Sequence, residues 1–177
     1  GGMESADGVN LETKNVYVSF KCPKTGIETI SGIQGFSAGY DGAFVMNDMA
    51  GLKLTAKLGM GTLSGAYFLW AEGAADAIDD EEFWVLKYDH KIGDGLNIGV
   101  DLYNDSDSGA DVDDYYLGLR GKVKIGDMGI ESWLLFLSGT DESGASDIDR
   151  TGMVFSARAT MKISGIDAAC RFLYYNA

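Results

Sequence analysis

Trp84-Val85-Leu86-Lys87-Tyr88-Asp89-His90-Lys91-Ile92-Gly93-Asp94-Gly95-Leu96-Asn97-Ile98-Gly99-Val100-Asp101-Leu102 reads as two alternating segments on either side of a glycine turn. Before the turn, Trp84, Leu86, Tyr88 and His90 share one parity, and Lys87, Asp89 and Lys91 lie on the other. After it, Leu96, Ile98, Val100 and Leu102 oppose Asn97, Gly99 and Asp101. Period two is the mark of a strand with one apolar and one polar face. Asp94-Gly95 is a type I′ hairpin signal. The acidic run Asp105–Asp113 follows, and then another alternating segment.

The same unit repeats along the chain. Candidate strands fall at 11–23, 27–38, 51–59, 62–72, 83–93, 96–104, 114–126, 129–139, 151–164 and 166–177. Most approach the ~9–11 residues that a tilted strand needs to cross a bilayer. Leu52, Leu54, Ala56 and Leu58 oppose Lys53, Thr55 and Lys57. Tyr115, Leu117, Leu119, Val123 and Ile125 oppose Tyr116, Arg120, Lys122 and Lys124. Met153, Phe155, Ala157, Ala159, Met161 and Ile163 oppose Val154, Ser156, Arg158, Thr160 and Lys162. Only Trp133-Leu134-Leu135-Phe136-Leu137 is apolar on both faces.

The connections are of two kinds, in strict alternation. Lys24-Thr25-Gly26, Met60-Gly61, Asp94-Gly95, Asp127-Met128 and Gly165 are tight. Gly39–Ala50, Gly73–Glu82, Asp105–Asp113 and Thr140–Arg150 are longer and acidic. Short turns at one end and long loops at the other predict an all-β, antiparallel, up-and-down transmembrane β-barrel, and not a Greek-key sandwich. Trp70, Trp84, Tyr103, Tyr115 and Tyr174 lie near the long-loop ends, where an aromatic girdle would meet the lipid headgroups. With long loops outside, the first strand runs toward the periplasm and the last runs away from it. Residues 1–177 are therefore expected to be a single segment inside a larger barrel with an even strand count. Gly1-Gly2-Met3-Glu4-Ser5 has neither the basic start nor the apolar core of a signal peptide. The alternative is a closed barrel of these strands alone, and a soluble β-sandwich is the rival on a wider view.

Composition agrees. The 177 residues include 25 glycines, nine tyrosines, eight phenylalanines and one proline. Such a chain suits long strands with few interruptions. No run reaches the roughly 18 apolar residues of a membrane helix. A net charge of −13 argues against nucleic acid, whose phosphates require clustered cations. Cys22 and Cys170 form no CxxC pair and read as small apolar side chains.

Charge is partitioned. Most of the 27 acidic residues fall in the N-terminal segment and the long loops, where Arg150 is the one basic residue. Lys21, Lys53, Lys57, Lys87, Lys91, Arg120, Lys122, Lys124, Arg158, Lys162 and Arg171 all fall on the polar faces. A Lys or Arg facing lipid costs roughly 2–4 kcal/mol at the midplane, so all eleven are assigned to the lumen. A basic lumen below an acidic mouth would give moderate anion preference, tempered by Glu28, Asp89, Asp101 and Glu131.

Asp105, Asp107, Asp111 and Asp113 place carboxylates at alternate positions, as calcium requires. However, the sixth position of an EF-hand loop would be Ala110 and the twelfth Tyr116, where glycine and glutamate are needed. Solvation, or loose bridging by divalent ions at a lipopolysaccharide surface, is the plainer use of these loops. His90 is the sole histidine, and its parity places it with the lipid-facing side chains. Triad chemistry therefore has no centre. Asp79-Asp80 sit in a loop with nothing to separate their pKa values. No glycine loop leads from a strand into a helix to hold phosphate, and no cofactor is implied.

Ile30-Ser31-Gly32-Ile33-Gln34-Gly35-Phe36, with Tyr40-Asp41-Gly42 and Ala50-Gly51-Leu52, resembles the Gram-negative porins, in which such a run leads into a loop near the pore. The resemblance covers nearly the whole chain as architecture but little of it as motif. It implies a passive outer-membrane channel for small hydrophilic solutes or ions, often a homotrimer, seated among lipid and lipopolysaccharide. The longest candidate for a porin's infolded constriction loop is Gly39–Ala50. The rival functions are a non-channel barrel that serves as adhesin or scaffold, and a soluble secreted β protein that binds calcium and self-assembles.

Overall fold

In a computed structural model of the chain, the described residues are 3–4, 10–11, 15–38, 44–71, 81–144, 146–163 and 166–176. A short hairpin pairs β1 (Met3–Glu4) with β2 (Asn10–Leu11). Everything else is one antiparallel sheet: β3 (Val16–Lys21), β4 (Glu28–Ala38), β5 (Val45–Leu58), β6 (Gly61–Ala71), β7 (Glu81–Ile92), β8 (Leu96–Asp107), β9 (Val112–Ile125), β10 (Met128–Asp141), β11 (Ile148–Ile163) and β12 (Ile166–Asn176). Its ten strands lie side by side in chain order, so each pairs only with its sequence neighbours. This is the up-and-down meander that the alternating turns predict. Among the described residues β3 and β12 do not pair with each other, so the sheet has two edges.

The bounds differ from the sequence reading where chain polarity misleads. The first expected strand, 11–23, is shorter, and Asn10–Leu11 belongs to the small hairpin. The strands flanking the acidic loops are longer than expected. β5 begins at Val45, and β8 runs on through Asp107 before β9 starts at Val112. Acidic residues there continue the ladder, with Asp105 opposite Asp114 and Ser106 opposite Asp113.

The tight turns depend on glycine. Gly59, Gly93 and Gly126 each open a turn with φ near +60°. Leu58 pairs with Gly61 and Ile125 with Met128. The two intervening residues therefore start with a glycine in the left-handed region, as in a type II′ hairpin. The 93–95 turn corrects the type I′ expectation at Asp94-Gly95. It is three residues long, with the positive φ at Gly93, and Asp94 keeps an ordinary φ.

The register carries side-chain parity unbroken across the sheet. Leu54, Gly65, Leu86, Leu102, Leu117, Phe136 and Met153 follow one another across β5 to β11 on one face. Leu54, Leu86, Leu102, Leu117 and Phe136 are all exposed, in company with Leu52, Tyr88, Ile98, Val100 and Leu119. The opposite face carries every residue of the buried core.

A single layer of strands buries one face against itself only if it curls. Three steps of about 4.8 Å separate β4 from β7, or about 14 Å on a flat sheet. Yet the rings of Phe36 and Phe83 lie 5.9 Å apart. The packed face is therefore concave and the apolar face convex, the inverse of a soluble barrel with an oily interior.

Candidate functional site

The eleven basic residues assigned to a lumen all share the concave face by register. At the tight-turn end, Lys91, Asn97, Lys122, Glu131, Arg158 and Arg171 lie opposite one another across β7 to β12. Lys122 pairs with Glu131. Lys124 and Lys162 lie toward the turns, and Lys21 pairs with Glu28 at 3.1 Å. Lys57, Lys53 and Lys87 occupy the rows above.

One row up sits a charge network that spacing alone does not reveal. The Arg120 guanidinium donates through Nε to Asp101 Oδ2 (2.6 Å) and through Nη2 to Asp101 Oδ1 (2.7 Å). Its Nη1 lies 2.8 Å from Asp89 Oδ1. Tyr103 Oη also donates to Asp101 Oδ2, at 3.0 Å. Asp101 is fully buried. A carboxylate without water is tolerable there because a fork-shaped cation satisfies both oxygens. Gly99 makes the room, since a Cβ at that position would lie 2.7 Å from Arg120 Nη2.

Above the network the concave face turns apolar. Phe36, Phe68, Phe83, Val85, Tyr103, Trp133 and Leu135 are buried together. Phe44, just ahead of β5, packs its ring 5.2 Å from Tyr103, 4.7 Å from Tyr116 and 6.0 Å from Trp133. Trp133 lies on β10, five strands from β5, so Phe44 spans much of the concavity. This layer qualifies the expectation of a basic lumen directly beneath an acidic mouth, because an aromatic band separates the two. It also corrects the girdle. Tyr103 is 2% exposed on the concave face, whereas Trp84, Tyr115 and Tyr174 are exposed on the convex face. The side chain of Trp70 lies outside the described residues. Sequence reasoning missed Phe44 and the layer around it. The available signal was the stretch from Trp133 to Leu137, apolar on both faces because its inward side chains join this band.

Beyond the aromatic layer lie acidic side chains. Asp114 is buried, with Arg150 Nη1 at 3.1 Å from its Oδ2, and Tyr116 Oη donates to the same oxygen at 3.3 Å. The calcium candidates are not gathered around one point. Asp105 and Asp107 end β8, Asp111 occupies the turn with φ +50°, and Asp113 accepts a hydrogen bond from Asn104 Nδ2. Asp107 Oδ1 accepts the backbone N–H groups of Gly109 and Ala110, so it works within the turn itself. Among the described residues no three His, Cys, Asp or Glu side chains are placed to hold a metal ion.

His90 lies on the convex face, its Nδ1 3.1 Å from Tyr88 Oη. Asp79 and Asp80 lie outside the described residues, as do Glu72 and most of 73–82. Cys22 and Cys170 are free thiols. Cys22 stands in the first tight turn, where hydrogen bonding from Thr25 lowers its thiol pKa.

Known proteins bear on the fold. No protein family and no curated protein matches the sequence. Among solved structures the chain resembles OmpTΔL8, a loop L8 deletion mutant of OmpT, an outer membrane protein of Vibrio cholerae. The TM-score is 0.59 at 15% identity, over 89% of this chain and 56% of that protein. The fold is that of an outer-membrane β-barrel. The chain spans little more than half the length of the protein it resembles.

Proposed function

We propose that these residues form part of the wall of a bacterial outer-membrane barrel that acts as a passive aqueous channel for small hydrophilic solutes, without catalytic chemistry. One observation carries the reading: among the described residues the strand lysines and the ion pairs between strands lie on the concave face, while the convex face exposes leucine, isoleucine and valine. In lipid the convex side chains are at home and the concave charges face water. In water the convex face would be an apolar patch larger than soluble monomers tolerate. The two unpaired edges, β3 and β12, would be closed by strands from outside these 177 residues, since no edge can stand open in lipid. The barrel would lie among lipid and lipopolysaccharide, as a trimer if the porin resemblance extends that far.

The aromatic layer favours a second reading, a barrel sealed near its long-loop end that serves as scaffold or adhesin. Conductance of the full-length protein in a planar bilayer decides between them. The channel reading expects stepwise currents, with a reversal potential in a salt gradient that reports anion preference from the surplus of concave-face cations. A protein that inserts and passes no current is the scaffold. One that stays in aqueous solution without detergent is not a membrane barrel.

A further inference from the structure

Above the aromatic layer the concave face gathers carboxylates around a single described cation. Glu81 on β7 lies opposite Asp107 on β8, and Asp105 on β8 lies opposite Asp114 on β9. Asp141 ends β10 and turns its carboxylate onto Ser143. The cation, Arg150 on β11, pairs with Asp114 Oδ2, to which Tyr116 Oη also donates. Arg150 reaches Asp114 over Gly139, which stands between them in the register and where a Cβ would strike Asp114 Oδ1. The Asp114 side chain is 5% exposed. Among the described residues, Asp114 Oδ1 and Asp105 Oδ1 are both enclosed, and neither accepts a hydrogen bond.

Like charges directly opposite one another on a strand pair repel, and burying a carboxylate oxygen without a donor adds to the cost. Asp114 is compensated by Arg150 and Tyr116. Asp105 has three carboxylates around it, and the one cation is committed to its neighbour. A metal ion does not answer the need, since no three described His, Cys, Asp or Glu side chains are placed to hold one. A proton is small enough to reach an enclosed oxygen and neutralise it. Asp105 lies past the girdle row of Trp84, Asn104 and Tyr115, outside the lipid-crossing part of β8. There burial, followed by the charges of Glu81, Asp114 and Asp107, pushes its carboxyl up to about 6.

We propose that Asp105 is a proton-operated switch at the long-loop mouth of the barrel. Protonated, it lies opposite Asp114 without repulsion and leaves Arg150 to the Asp114 carboxylate. Ionised, it adds a negative charge above the aromatic layer and competes for Arg150. Acidification therefore removes a negative charge from the mouth and raises anion preference. That last consequence rests on the channel reading, whereas the uptake of the proton does not.

Infrared difference spectra of the full-length protein in detergent micelles, taken through a pH titration, read the C=O band of a protonated carboxyl. One carboxyl should gain its proton near pH 6, apart from ordinary carboxylates at roughly 4. Asp105→Asn should delete that band. Arg150→Gln, which removes the counter-charge, should raise the midpoint by about one unit, and Asp114→Asn, which removes the opposing charge, should lower it by about one unit. Arg150→Lys, the readable variant if the glutamine form fails to fold, should keep the native midpoint. Asp94→Asn, in a tight turn, should leave it unchanged. In planar bilayers the native reversal potential should move toward anions as the pH falls, and Asp105→Asn should hold the low-pH value throughout.

A band that survives Asp105→Asn, or the absence of any carboxyl titrating above about pH 5, overturns the switch. So does a midpoint that neither Arg150→Gln nor Asp114→Asn moves, or a band that millimolar calcium abolishes. A titrating Asp105 in a barrel that passes no current leaves the switch standing and removes the channel. Bilayer currents from a protein without such a band do the reverse.

Discussion

At the scale of single residues, the decisive group is Arg120. Its three nitrogens satisfy Asp101 and Asp89 together, and its removal would strand a carboxylate with no exposure at all. Arg120→Ala is therefore expected to destabilise the fold by about 3–5 kcal/mol, more than replacing both partners with apolar side chains of similar size. Urea midpoints of protein refolded in detergent would check this, and a loss below about 1 kcal/mol would show that Asp101 finds water or another partner. Gly99→Ala should act on the same network, because its new methyl would meet the guanidinium. The sequence marked Arg120 as inward-facing and Asp101 as a tempering charge. Their partnership was not legible there, because it joins residues on separate strands whose rows are offset by one step, and only the curl and the missing side chain at Gly99 let them meet.

The strands obey alternation closely enough that a single substitution reports which way a side chain faces. Leu102 and Ser64 lie in adjacent rows of the sheet, Leu102 on the convex face and Ser64 on the concave face between Thr55 and Lys87. Leu102→Arg is expected to cost about 2–4 kcal/mol in a bilayer, and Ser64→Arg about 1 kcal/mol or less. Equilibrium unfolding from liposomes measures the difference, and equal costs would refute the two-faced assignment. Parity was readable because a strand places successive side chains on opposite faces whatever its tertiary setting. Strand ends were less readable. Asp105, Asp107 and Asp113 look like loop residues by composition, yet the backbone ladder continues through them, since hydrogen bonding between strands is indifferent to a solvated carboxylate at the end of the sheet.

The whole molecule carries a prediction of sidedness. Tight turns gather at one end and acidic connections at the other, so Cys22, in the first tight turn, should face the periplasm. In cells carrying Cys170→Ala, a membrane-impermeant maleimide should leave Cys22 unlabelled until the outer membrane is permeabilised. A cysteine introduced at Ser108, in the opposite set of turns, should label at once. The hydrogen bonding that lowers the Cys22 thiol pKa favours the reactive thiolate, so a lack of labelling in intact cells would reflect access. Labelling of Cys22 in intact cells would invert the barrel.

By itself the sequence determined the strands, their antiparallel order and the division of charge between the two faces. These follow from period-two alternation and from turn chemistry, both set by residues within a few positions of one another. The glycines that open the tight turns belong to the same local account. Only the tertiary structure decided what the concave face holds: a buried Arg120–Asp101–Asp89 network, an aromatic layer capped by Phe44, and a cavity lined by Lys53, Lys87 and Asp89 together. Each depends on how far the sheet curls, which brings together side chains that a flat sheet would keep well apart. Curvature is a sum over many strand twists, bulges and packed side chains, and no short stretch of sequence carries it.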